Sequence, residues 1–286
     1  MNAPRTAVPI KAVIFDMDGL LLDTEGIYTE VTQIIAERYG RTYDWGIKQH
    51  IIGRGAQDLA DYVVKALDLP ITPAEFLEIR EPLMSERFPK ALGMPGAEAL
   101  VRHLKAHNIP IAVGTSSSRN SFGHKTTLHR EWFGLFDTIV TADDPEVGAA
   151  KPAPDIFLTA ARRLGVAPED CLVFEDSPFG VTAAKAAHMT AIAVPDEAMA
   201  DSKYQHADQI IRKLADFDLA AYGLPPWPDP ARSKCGSWLA CESGSAVTDV
   251  ALTHAFAGKP APTFGVPVLQ NQALKPPSMV RLAPVI

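Results

Sequence analysis

The chain has 286 residues, 47% of them hydrophobic, and a formal net charge of −7. That composition supports a sizeable core in one large or two smaller domains, and the acidic balance argues against the basic stripe that holds a nucleic-acid backbone. The N-terminal MNAPRTAVPIK lacks the apolar core of a signal peptide, and no apolar run nears the roughly 18 residues that span a bilayer.

Short apolar runs recur along the chain: AVIF at 12–15, IPIAVG at 109–114, TIVT at 138–141, CLVFE at 171–175, AIAV at 191–194 and QII at 209–211. Helical patterns stand between them, over Ala97–His107, Phe122–His129, Asp155–Leu164 and Pro178–His188. The alternation predicts an α/β fold, a parallel sheet with helices on both faces. The segment from Thr24 to about Ala91 breaks the rhythm, with one apolar stripe at Ile27, Val31, Ile34, Ile35 and Tyr39 and another at Leu59, Tyr62, Val63, Ala66 and Leu67. It reads as a helical insertion after the first strand, joined near Leu22-Asp23 and Leu92–Gly96, where a module could rock on its hinges. The expected division is a core of residues 10–22 and 92–224, an insertion of 23–91 and a tail of 225–286. That tail holds ten of the 24 prolines and reads as irregular, disordered chain. Cys171, Cys235 and Cys241 form neither a paired framework nor a CxxC spacing, which suits a reducing, cytoplasmic setting.

Four places carry chemistry. In KAVIFDMDGLLLDTE, Asp16 and Asp18 lie two apart at a strand end and present carboxylates in one direction, and Gly19 lets the chain turn sharply after them. Ligands of open α/β sheets bind beyond such strand ends. Close carboxylates repel, and a divalent cation or a shared proton relieves them; alone, a DxD is equally a pair of turn residues. IAVGTSSSRN ends a strand with Thr115, Ser116, Ser117 and Ser118, which could hold an anion or cap the next helix. Lys151 precedes proline in KPAPDIF and by itself is a solvated charge. CLVFEDSPFG runs a strand into Glu175 and Asp176, alone a helix cap.

In that order, Asp-x-Asp, strand-Thr, Lys-Pro and Glu-Asp together resemble the four motifs of the haloacid dehalogenase superfamily, over Ile10 to about Gly223. The resemblance implies a Rossmann-like core with an inserted helical cap and Mg²⁺-dependent hydrolysis of a small phosphate monoester. It implies Asp16 as nucleophile, forming an aspartyl-phosphate, and Asp18 as general acid and base. Mg²⁺ would be held by the Asp16 carboxylate, the Asp18 carbonyl and Asp176, with Glu175 ligating or just behind. Thr115 and the Ser116 amide would take phosphoryl oxygens, and Lys151 would offset their charge. Asp23, at the hinge, reads as structural. Related sugar phosphomutases carry histidine where this chain has Tyr28 and arginine near Ala56, and a dehalogenase would have a small residue at 18. MPGAEALVRHL, DDPEVGAAKPAPDIF, CLVFEDSPFGVTAA and YGLPP are similar to the eukaryotic pseudouridine-5′-phosphatases and glycerol-phosphate phosphatases. The implied partner is a phosphorylated metabolite, pseudouridine 5′-phosphate first and a glycerol or sugar phosphate second, met by a monomer. A non-catalytic interaction protein on the same fold is the alternative of another class. Arg54, in IIGRGAQD, is either a substrate contact or a surface charge. His188 replaces the glycine that relatives carry after the last motif's helix, a position that favours a left-handed backbone.

Overall fold

The computed structural model describes residues 9–228. Six parallel strands form one sheet: β1 (Ala12–Phe15), β4 (Ile111–Gly114), β5 (Thr138–Val140), β6 (Cys171–Glu175), β7 (Thr190–Ala193) and β8 (Gln209–Ile210). Their order is β5-β4-β1-β6-β7-β8. AVIF is buried at all four positions, as a central strand covered on both faces must be. Val13 and Phe15 point into one apolar cluster with helix α5 (Ala97–Ala106). Ala12 and Ile14 point into the other, with α8 (Asp155–Leu164) and α9 (Pro178–Ala186).

From β1 the chain crosses to β4 and β5 on one side, then returns to β6 on the other, pairing Phe15 with both Val113 and Phe174. Such a switch leaves a crevice at the carboxyl ends of the three middle strands. Asp16, Thr115 and Glu175 all arrive there.

The insertion is helical, as its stripes predict: α1 (Glu25–Glu37), α2 (Trp45–Lys48), α3 (Ala56–Ala66) and α4 (Pro73–Arg87). Val31, Ile35, Leu59, Val63, Phe76 and Met84 make a core of their own. Thr72 and Glu75 cap α4 reciprocally, and Pro73 at its first turn loses no helical bond. The two joins are paired with each other, because β2 (Leu22–Asp23) runs antiparallel to β3 (Leu92–Gly93). Chain therefore leaves and re-enters the sheet through one two-stranded ribbon.

The helix expected over Phe122–His129 is displaced. It is α6 (Arg119–Lys125), started by Ser118, whose hydroxyl accepts from the Ser121 amide; a separate turn, α7 (Arg130–Phe133), follows. The hydroxyl cluster thus does cap a helix, as well as reaching the crevice. The tail begins docked, with Trp227 Nε1 donating to the Phe217 carbonyl at 3.2 Å and the Pro225 carbonyl 2.9 Å from His103 Nε2. Beyond residue 228 the tail expectation lies outside the described residues. Among the described residues, no helix is long and apolar enough to cross a membrane.

Candidate active site

The four motifs meet. Lys151 Nζ donates to Asp16 Oδ1 at 2.6 Å, to Glu175 Oε1 at 2.7 Å and to the Gly114 carbonyl at 3.0 Å, joining β1, β4 and β6 through one buried ammonium. Oxygens of Asp16, Glu175 and Asp176 lie within 4.8 Å of one another. Gly19 adopts φ +79°, and a β-carbon there would come within 2.3 Å of Asp176 Oδ2, so the glycine supplies both the turn and room for the carboxylate.

Three buried carboxylates beside one ammonium leave an excess of negative charge. Burial raises the Asp16 carboxyl to about 7 although Lys151 opposes it, with Glu175 and Asp18 adding to the rise. Burial, then Glu175 and Asp16, push Asp176 well above the usual carboxylate range. Burial works against the Lys151 ammonium, but Asp16 and Glu175 outweigh it and hold its pKa above the lysine range. The carboxylates differ in their hydrogen bonds. Glu175 Oε2 accepts from the Ser177 amide at 2.7 Å and hydroxyl at 2.9 Å, whereas the Asp176 carboxylate accepts none from the described residues. Hard oxygen donors with surplus charge and an uncommitted carboxylate fit a small divalent cation.

Asp18 is engaged differently. Its Oδ1 accepts from Thr24 Oγ1 at 2.7 Å and Lys125 Nζ at 2.5 Å, and its Oδ2 from Ser117 Oγ at 2.8 Å. Burial works to raise this carboxyl too, but Lys125, Thr24 and Ser117 outweigh it and hold it below its ordinary value. Lys125 was not legible as a site residue: in SFGHKTT it looks like the cation that suits a helix end. In the fold it is wholly buried, also donating to Tyr28 Oη and Ser117 Oγ, each at 2.6 Å.

A cavity of about 490 Å³ opens over this group. Ser116 and Ser117 line it from the sheet edge; Thr115 lies beneath, fully buried, its Oγ1 accepting from the Ser117 amide at 3.0 Å and 3.5 Å from Asp18 Oδ2. The insertion supplies the opposite wall through Glu25, Tyr28, Arg54 and Arg80. Arg54 reaches the cavity with its Nε given to the His50 carbonyl at 2.6 Å and its guanidinium over the rings of Tyr62 and Phe179. Asp23 is exposed and lines a different hollow.

A family model described as haloacid dehalogenase-like hydrolase matches residues 10–188. The chain belongs to that family. It is 46% identical to a Drosophila melanogaster protein named probable pseudouridine-5′-phosphatase, over 76% of this chain and 95% of the relative. It is equally 46% identical to an Arabidopsis thaliana protein named (DL)-glycerol-3-phosphatase 2, over 77% and 94%. Among solved structures, a haloacid dehalogenase family hydrolase from Deinococcus radiodurans, described with bound phosphate and sodium, superposes with a TM-score of 0.64 at 28% identity. That match covers 76% of this hydrolase and 99% of the other chain. Both named relatives are phosphatases, and this hydrolase is an enzyme of the same kind.

Proposed function

We propose that this phosphatase is Mg²⁺-dependent and hydrolyses a small phosphate monoester, pseudouridine 5′-phosphate foremost, through an aspartyl-phosphate on Asp16. The observation that carries the proposal is Lys151 bridging Asp16 and Glu175 within reach of Asp176. Three segments far apart in the chain, at residues 16, 151 and 175–176, converge there.

Residues 23–91 act as a cap on a core of residues 10–22 and 92–224. The negative charge of the arriving phosphate raises the Asp18 carboxyl, which takes up a proton from solvent; an oxygen of Asp16 then attacks phosphorus, and the ester P–O bond breaks as the leaving oxygen takes that proton from Asp18. Asp18, then ionised, takes a proton from a water whose oxygen attacks the phosphoryl group; phosphate leaves and the Asp16 carboxylate is restored. Lys125, Thr24 and Ser117 stabilise the ionised Asp18 that this second step needs. Mg²⁺, when bound, offsets the repulsion between carboxylate nucleophile and phosphate. Asp16, the Asp18 carbonyl and Asp176 would hold it; Glu175, with both oxygens accepting hydrogen bonds, would close the set and brace Lys151. Ser116 would face the phosphoryl oxygens and Lys151 would balance their charge, while Thr115 would act from beneath by holding the Ser117 amide. Arg54 would meet substrate hydroxyls.

The 46% identity to a named pseudouridine-5′-phosphatase supports the substrate. A glycerol or sugar phosphate is the second reading, favoured by the equal identity to a named glycerol-3-phosphatase. The enzyme would work as a cytoplasmic monomer on a free metabolite. Phosphate release from para-nitrophenyl phosphate with Mg²⁺ should be abolished by Asp16→Asn. Equal rates for the two proteins would instead favour a non-catalytic interaction protein. Comparing kcat/KM for pseudouridine 5′-phosphate, UMP, glycerol 3-phosphate and 2-deoxyglucose 6-phosphate tests the substrate, and a higher value for either of the last two would replace it.

A further inference from the structure

Arg80 is the feature that the chemistry at Asp16 leaves unused. It sits on α4, lines the cavity and is 8% exposed, yet its Nε is buried without any hydrogen-bond partner. Among the described residues its guanidinium donates no hydrogen bond and forms no ion pair; its one close neighbour of note is the Tyr28 ring, 5.0 Å from centroid to Cζ. Leaving such donors unsatisfied in a buried place is costly, so the arrangement persists best where an acceptor arrives during function.

We propose that Arg80 is a specificity-determining residue that hydrogen-bonds a planar carbonyl group at the far end of the leaving group, a ring such as uracil. This role rests on the nucleotide-like substrate proposed above. Three observations select the chemistry. Contacts run from Asp18 through Lys125 Nζ to Tyr28 and on to Arg80, so the guanidinium meets the leaving group away from its ester oxygen. Burial works against the Arg80 cation and outweighs the nearby Tyr28, Glu81 and Glu25, so what the buried guanidinium lacks is an acceptor in its plane for the unpartnered Nε. The cavity, at about 490 Å³, has room for a nucleoside and an apolar wall at Ile51, Leu59 and Met84 against which a flat ring can pack.

The test is the ratio of kcat/KM for pseudouridine 5′-phosphate to that for ribose 5-phosphate, which lacks the base. A ratio within one preparation is independent of how much of a variant is folded. Wild type should favour the base-bearing substrate. Arg80→Met should lower the ratio by at least about tenfold, since the carbonyl would lose its donor, and Arg80→Lys should fall between. A wild-type preference that survives in Arg80→Met overturns this role alone. A wild-type ratio near one overturns the proposed substrate, and the role with it.

Discussion

Lys125 donates to Asp18 Oδ1 at 2.5 Å from a side chain with no exposed surface. Removing one partner of such a pair strands the other charge. Lys125→Met, which nearly preserves volume, should destabilise the protein by roughly 3 kcal/mol at neutral pH. The pH dependence has a definite sign. In the native protein the Asp18 carboxyl lies below its ordinary value, so the pair's contribution is complete above about pH 4 and is lost as the pH falls further. In Lys125→Met burial is opposed only by the hydrogen bonds of Thr24 and Ser117, the carboxyl rises, and the penalty should shrink between pH 7 and pH 5. Urea unfolding of both proteins at the two pH values checks this; an equal penalty would assign the loss to packing.

The loop between α2 and α3 approaches the end of β6 at Gly53. Its φ is +79°, and a β-carbon there would lie 2.5 Å from Ser177 Cβ, one residue beyond Asp176. Gly53→Ala should hold the loop off the core, lowering kcat/KM by at least about tenfold while costing only ~1–2 kcal/mol of stability. Steady-state kinetics beside a thermal melt would separate the two. Normal turnover would mean that the loop need not seat on Ser177.

Metal should act on stability as well as rate. Mg²⁺ at about a hundredfold over its Kd should add about 2.7 kcal/mol to wild type, and EDTA should remove that gain. Asp176→Asn, which deletes a carboxylate that accepts no hydrogen bond from the described residues, should melt at the same temperature with either addition. Melts by differential scanning fluorimetry decide the matter. An Mg²⁺ shift retained in Asp176→Asn would place the ion elsewhere.

His188 adopts φ +62°, the left-handed conformation that its place after α9 foretold. It is exposed and does not line the cavity. His188→Gly should therefore gain roughly 1 kcal/mol, a melting temperature higher by about 2–4 °C, with unchanged turnover. An unchanged or lower melting temperature would mean that the histidine ring makes compensating contacts.

What the chain order carried by itself was the sheet and the residues at its edge. Period-two and unbroken apolar runs mark buried strands. Asp16, Glu175 and Asp176 each end or follow such a run and Lys151 lies in the loop after another, so the switch in strand order was bound to gather them. Lys125 and Arg80 were not legible in this way. Each is a basic residue at an ordinary helical position, where the local pattern predicts solvent, and nothing in the neighbouring letters says that a strand end or a cavity wall will cover it. Thr115 shows the same limit at finer scale: the strand placed it at the edge, but the turn of the next three serines decided that Ser116 and Ser117 face the cavity while Thr115 lies beneath. Strand ends are set by local periodicity. Whether a charge is buried, and against which partner, is set by the packing of segments a hundred residues apart, and only the folded chain decides it.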